Sequence, residues 1–278
     1  MTTPPSPAAI AARRRAFRAL HDSGCFVIPN PWDAGSARYL ASLGFKALAS
    51  SSAGFAWSQG IADNAVSRDA VLAHLRELVA ATELPVNADF ESGFGATPRE
   101  VGESVRLAVE TGVAGLSIED ATGDAAHPIH DLPEAVARLR AAREAIDAAG
   151  GDTLLVGRAE NHLHGRPDRA DTIARLRAYA EAGADCLYAP GLKSRDDIAA
   201  VVAAVAPKPV NLLVGATSEI TLADIAALGV RRVSTGGGLA RSAWGGFMRA
   251  AAGLARDGTF EGFAGAASGA DINALFRG

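Results

Sequence analysis

One pattern constrains this chain more than any other. A short apolar run followed by an amphipathic stretch rich in Ala, Arg and Glu recurs every ~25 to 35 residues, as βα units require. The apolar runs fall at 26–29, 47–50, 86–89, 115–118, 154–157, 186–188, 210–213 and 232–234, which makes eight. Helical stretches are predicted at 68–81, 98–111, 132–149, 169–182, 195–204 and 222–228, with a last one at 240–256. Thr97-Pro98, Asp168 and Thr221 stand where a side-chain oxygen can cap a helix start. Gly44, Gly112, Gly183 and Gly229 stand where a left-handed residue closes a helix. Eight units with no linker between them predict an α/β fold, a single (β/α)8 barrel, with a doubly wound open sheet as the rival. The one domain spans 1–278, with its core at about 13–256, an extra N-terminal helix near 7–21 and a C-terminal tail over about 257–278.

Composition bears on function. Lys+Arg number 27 against 31 Asp+Glu, and no basic run exceeds Arg13-Arg14-Arg15, so the electrostatic footprint of a nucleic-acid binder is missing. No apolar run approaches the ~20 residues of a bilayer span. The opening segment lacks the apolar stretch of a secretory signal, which predicts a cytoplasmic protein with small-molecule partners. The two cysteines, Cys25 and Cys186, make no disulfide framework and read as small buried apolar residues.

A barrel of this kind carries its chemistry at the C-terminal ends of its strands. Those ends present Ser51 and Ser52, Asp89 and Glu91, Glu119 and Asp120, Arg158 and Glu160, with Asn211 in the seventh strand. Singly, each carboxylate reads as a helix cap or a salt-bridge partner. Together, four or five in one mouth repel unless a cation joins them, and all-oxygen ligands select a hard divalent ion, Mg²⁺ or Mn²⁺. Asp89 and Glu91 are expected on one side of an extended segment. Arg158 ends an otherwise buried strand and reads as an anion clamp, with a structural role as the alternative. His162 and His164 lack a third zinc ligand nearby. Gly236-Gly237-Gly238 serves either as a phosphate cradle or as a tight turn.

Four segments carry a resemblance. Asn30-Pro31-Trp32-Asp33-Ala34-Gly35-Ser36-Ala37-Arg38, Ala88-Asp89-Phe90-Glu91-Ser92-Gly93-Phe94-Gly95, Ser117-Ile118-Glu119-Asp120 and Val156-Gly157-Arg158 resemble, in order and spacing, the isocitrate lyase / phosphoenolpyruvate mutase superfamily. The resemblance implies an (α/β)8 barrel, usually tetrameric, with a C-terminal helix exchanged between subunits. It implies Mg²⁺, a 2-oxo or 2-hydroxy carboxylate, and a C–C or C–P bond made or broken beside an enolate. It places the substrate carboxylate on Ser51, Ser52 and Ala53, and Asp63 near the metal shell. Asp89 matches the principal metal carboxylate, Glu91 stands for a second Asp, Glu119 joins the metal-water network, and Arg158 holds the substrate oxyanion. Glu119, Arg158 and Asp63 are thus the expected catalytic residues, and Asn211 joins the substrate set.

The chain departs from the family after the fourth strand. Lyases of the family carry a Lys-Lys/Arg-Cys-Gly-His loop there, whereas residues 121–130 hold neither Cys nor Lys. Isocitrate and 2-methylisocitrate cleavage are therefore not expected. The mutases' Lys and Asn are missing too. Three functions stay open: a Mg²⁺-dependent C–C lyase on a small oxy-dicarboxylate, C–P chemistry on a phosphonate, and a non-catalytic barrel binding a 2-oxo acid. An ordered loop at 124–131 bringing His127 or His130 over the metal would favour an enzyme. The tail keeps Phe260, Phe263, Ile272, Leu275 and Phe276, which predicts a homo-oligomer, a dimer of dimers.

Overall fold

A computed structural model describes residues 4–277, so the ends of the expected 1–278 domain lie outside the described residues. Each apolar run becomes a parallel strand: β1 (Phe26–Ile28), β2 (Leu48–Ala49), β3 (Val86–Asp89), β4 (Gly115–Glu119), β5 (Leu154–Arg158), β6 (Cys186–Tyr188), β7 (Val210–Leu213) and β8 (Arg232–Ser234). Their order, β1-β8-β7-β6-β5-β4-β3-β2, runs round a ring. Across the remaining gap the Ala49 N–H donates to the Pro29 carbonyl at 3.0 Å. Asn30 reinforces this seam, donating through Nδ2 to Ser50 O at 2.7 Å and accepting at Oδ1 from the Thr235 and Gly236 N–H groups, both at 2.9 Å. The ring makes this a (β/α)8 barrel and excludes the open sheet.

The helices are α1 (Pro7–Ala19), α2 (Ala34–Ser42), α3 (Ser52–Ser58), α4 (Arg68–Ala81), α5 (Pro98–Glu110), α6 (Leu132–Ala148), α7 (Arg169–Glu181), α8 (Arg195–Val205), α9 (Leu222–Ala227), α10 (Gly238–Asp257) and α11 (Gly269–Leu275). The expected caps are in place: Thr97 and Thr221 form capping boxes and Asp168 accepts from the Ala170 and Asp171 N–H groups. The start of α2, whose end Gly44 marked, and the whole of α3 were not expected. α2 rests on an Asp33/Ser36 capping box inside the Asn30–Arg38 motif, and α3 is only seven residues long.

Two cores result. One lies between strands and helices. The other fills the barrel, where Phe17 of α1 packs with Ile28, Ala49, Val156 and Cys186. The basic run is part of this construction. Arg13 donates to Val79 O, and Arg14 to Val109 O and Val113 O, so both are buried serving helix-end and loop carbonyls.

The last helix differs from expectation. It was read as part of the barrel core, yet only Ala240 of α10 is buried. Trp244, Phe247 and Met248 are exposed, the last two by 62% and 61%. The tail turns back through a short 3-10 turn, Glu261–Phe263, to α11, where Phe276 approaches α2 at Gly35. No helix among the described residues is long and apolar enough to cross a membrane.

Candidate active site

At the C-terminal ends of the strands a cavity of about 440 Å³ opens, lined among others by Ser51, Ser52, Ala53, Asp63, Asp89, Arg158 and Asn211. Every substrate residue expected from sequence is there. Asp89 ends β3 and is held on all sides. Its N–H donates to Ser50 Oγ at 2.8 Å, while Ser52 donates to its Oδ2 from N at 3.1 Å and from Oγ at 2.9 Å. Ser51 is spent on structure, accepting the Gly54 N–H as the cap of α3.

Arg158, at the end of β5, meets three carboxylates. Nη1 lies 3.1 Å from Asp89 Oδ1 and 3.1 Å from Glu119 Oε2, and Nε lies 2.5 Å from Glu160 Oε1. Its guanidinium also stands 5.1 Å from the centre of the Tyr188 ring, a cation–π distance. Strand alternation explains the neighbours' different fates. Glu119 points to Arg158, whereas the next residue, Asp120, points outward to Tyr179 OH at 2.5 Å and Arg175 at 3.0 Å. Asp120 also accepts the Glu160 N–H, fixing the loop that carries Glu160.

Glu91 departs from the expected extended segment. The strand stops at Asp89, and Glu91 takes φ 47° with Phe94 at 54°, both in the left-handed region. The turn is pinned by the buried Phe90, whose ring packs edge-on against Phe94 at 5.0 Å, and by the Glu119 N–H donating to Glu91 O at 3.0 Å. Glu91 and Glu119 stand behind the cavity wall.

The carboxylates are short of positive charge. Burial, with Asp89 and Asp63 nearby, pushes Glu91 up to about 7. Burial dominates at Glu119, where Glu160, Asp89 and Glu91 add to it and Arg158 opposes, and the carboxyl is raised. Burial and Asp89 raise Asp63 too. Among the described residues no three His, Cys, Asp or Glu side chains converge to cage an ion directly. A surplus of buried negative charge with few direct ligands fits Mg²⁺, which keeps several waters and takes one or two carboxylates.

Other expectations resolve differently. His127 is exposed and faces Asp124 at 3.3 Å, and neither it nor His130 lines the cavity. That loop closes on itself through Thr122 and an Ala121/Ile129 bridge. His162 bonds Thr172 at 3.1 Å, and His164 lies 3.9 Å from Glu160. At Gly236–Gly238 two of the three amides are already bonded, to Asn30 Oδ1 and Thr235 O. A Cβ at Gly238 would meet Gly215 O at 2.8 Å, so the segment is a close-packed turn. The cavity also contains Asn87, Ser117, Tyr188, Arg232 and Arg241, which the sequence reading passed over. Asn87 and Arg232 each stand two residues before Asp89 and Ser234 on the same face of their strands, and that period of two was the available signal.

Comparison with known proteins agrees with this architecture. The family model for phosphoenolpyruvate phosphomutase matches residues 17–255. A Burkholderia cenocepacia J2315 protein, provisionally assigned as a lyase/mutase, has a crystal structure that superposes with a TM-score of 0.94 at 54% identity, covering 97% of this chain and 98% of that one. An oxaloacetate decarboxylase of Bradyrhizobium sp. (strain BTAi1) is 31% identical over 80% of this chain and 77% of its own. A phosphonopyruvate hydrolase crystallised with oxalate and Mg²⁺ superposes with a TM-score of 0.84 at 28% identity, covering 95% of this chain and 94% of that one. The order of the four motifs, the closed barrel and these matches agree: the chain belongs to the phosphoenolpyruvate phosphomutase family, within the isocitrate lyase / phosphoenolpyruvate mutase superfamily of enzymes.

Proposed function

We propose that the chain is a Mg²⁺-dependent lyase that cleaves a C–C bond of a small 2-hydroxy or 2-oxo dicarboxylate through an enolate. The observation that carries this is Arg158, half-buried at the cavity wall and paired with Asp89, Glu119 and Glu160 at once. Asp89 would hold the ion directly, with Glu91 and Glu119 acting through water. When bound, a divalent cation supplies Lewis-acid stabilisation of the developing oxyanion.

The chain's own groups do the rest. Arg158 holds an anionic oxygen of the substrate in a fixed fork, and Ser52 keeps Asp89 in register beneath it. The start of α3 at Ala53 receives the substrate carboxylate, both Ser52 donors being spent on Asp89. In a retro-aldol cleavage the 2-hydroxyl proton leaves as the C–C bond breaks and its electron pair passes to the enolate. Glu91, near neutrality in its titration, and Asp63 at the rim are the carboxyls available to accept that proton. Burial favours the protonated form of Glu119, which makes it the group available to return a proton to the enolate.

C–P cleavage of a phosphonate is the second reading, favoured by the match to a phosphomutase family model and by the same anion clamp. A panel of malates, 2-oxo dicarboxylates and phosphonopyruvate, assayed with Mg²⁺ and with EDTA, tests both. Release of a 2-oxo acid from a dicarboxylate supports the lyase, and inorganic phosphate from phosphonopyruvate supports the alternative. No product from any member contradicts both. We also propose a homo-oligomer in which α10 and the tail cover a neighbouring barrel.

A further inference from the structure

Five arginines are buried among the described residues, and four of them pair with a carboxylate: Arg13 with Glu83, Arg14 with Asp152 and Arg138 with Glu134, each at 2.9 Å, and Arg175 with Asp120 at 3.0 Å. The fifth does not. Arg232, the first residue of β8, is 3% exposed and lines the main cavity. Its Nε donates to Asn211 Oδ1 at 2.8 Å and its Nη1 to Asn87 Oδ1 at 3.4 Å. Both partners are neutral amides. Among the described residues no carboxylate lies within salt-bridge distance, and Nη2 has no acceptor.

A guanidinium does not shed its proton to escape burial. Removing a charge from water without a counter-ion is strongly unfavourable, and neutral amides offset only part of that. The surroundings are nevertheless built. Asn211 is locked at its other end, donating to Ser234 Oγ at 2.9 Å. Gly115 leaves the room that Asn87 occupies, since a Cβ there would lie 2.8 Å from Asn87 Oδ1. The uncompensated charge is felt nearby as well: after burial itself, Arg232 is the next cause holding His21 down at about 3.

We propose that Arg232, oriented by Asn87 and Asn211, is an anion-binding residue at the inner end of the cavity that receives an oxyanion group such as a carboxylate. That group belongs either to the substrate, as a second acidic group remote from Asp89 and Arg158, or to a free inorganic anion. The first source deepens the proposed function and rests on it. A ligand carrying two acidic groups is then selected over its monoacid counterpart.

The test uses the full chain with Mg²⁺ and two 2-hydroxy acids that share a head group, malate and lactate, titrated by calorimetry. Malate is expected to bind the wild type at least tenfold more tightly than lactate. In Arg232→Met the two should bind within twofold of each other, with lactate unchanged. Asn87→Asp supplies an internal counter-ion to the same guanidinium and should have the same effect with the arginine retained, which covers a failure of Arg232→Met to fold. In a second arm, sulfate alone is titrated against thermal unfolding. A rise in melting temperature that both variants lose assigns the site to a free anion. The proposal is overturned if the wild type shows neither a malate preference nor sulfate stabilisation, or if both variants keep whichever it shows. Lactate binding that needs no Mg²⁺ would count against the proposed function alone.

Discussion

Arg158 shares one positive charge among three carboxylates, and that imbalance sets what each residue around it should do. Asp89 is fixed by Ser50 and Ser52 at the cavity wall, so Asp89→Ala is expected to abolish Mg²⁺ binding in calorimetry while the circular dichroism spectrum stays unchanged. Arg158→Lys keeps the charge but loses the fork, and should weaken binding of an anionic ligand by about 2 kcal/mol, the scale of a charge-assisted bond in a desolvated site. An unaltered dissociation constant would make Arg158 purely structural. Glu91 carries the pH dependence. Its folded pKa, about 7, lies above the ordinary 4.5, so without metal its contribution to stability is complete below about 4.5 and is lost as pH rises through about 7. Mg²⁺ supplies the missing charge and should raise the melting temperature more at pH 8 than at pH 6. Equal increments would contradict the crowding argument. Asp89 and Arg158 were legible in the sequence because they end buried strands. Glu91 was legible as an acid but misplaced, since Gly93 signals a turn in this segment but nothing in the residue types of Glu91 and Phe94 signals that they too take left-handed backbone.

The elements that carry these residues are stabilised locally, and their boundaries test the account. α5 follows the turn bearing Glu91, and its Thr97/Glu100 capping box fixes where that turn ends. Thr97→Ala should cost about 1 kcal/mol in urea unfolding. α3, which presents Ser52 and Ala53 to the cavity, is backed by His74 of α4, stacked on Phe55 with ring centres 3.9 Å apart. His74 Nε2 has no partner, and burial holds the imidazole down at about 4. A folded pKa below the ordinary 6.5 means full stability above 6.5 and loss as pH falls toward 4. Between pH 7 and pH 5 the wild type should therefore lose about 2 kcal/mol more than His74→Phe. The strands and long helices were legible from apolar runs and caps. α3 was not, because seven residues are too few to show a helical period, and it begins directly behind β2.

At the scale of the whole molecule, the barrel closes but its last helix stands away from it. α10 buries only Ala240, and Trp244, Phe247, Met248, Phe260 and Phe263 are left in solvent in a lone protomer. Each such side chain gains ~1.5–3 kcal/mol on full burial, which a second copy would provide. Truncation after Asp257 is expected to reduce the oligomer seen by light scattering, and a wild type that is monomeric at micromolar concentration would contradict the assembly. The apolar tail was legible in sequence. The projection of α10 was not, because an amphipathic helix reads the same whether its own barrel or a neighbour covers it. The proposal of a cation site that runs bond cleavage is tested most directly by the rate of 2-oxo acid release from the best dicarboxylate of the panel, measured as Mg²⁺ is added back to EDTA-treated enzyme. The account predicts turnover that rises and saturates with Mg²⁺ in the wild type and is absent in Asp89→Ala. Turnover undiminished by EDTA, or retained in Asp89→Ala, would contradict it.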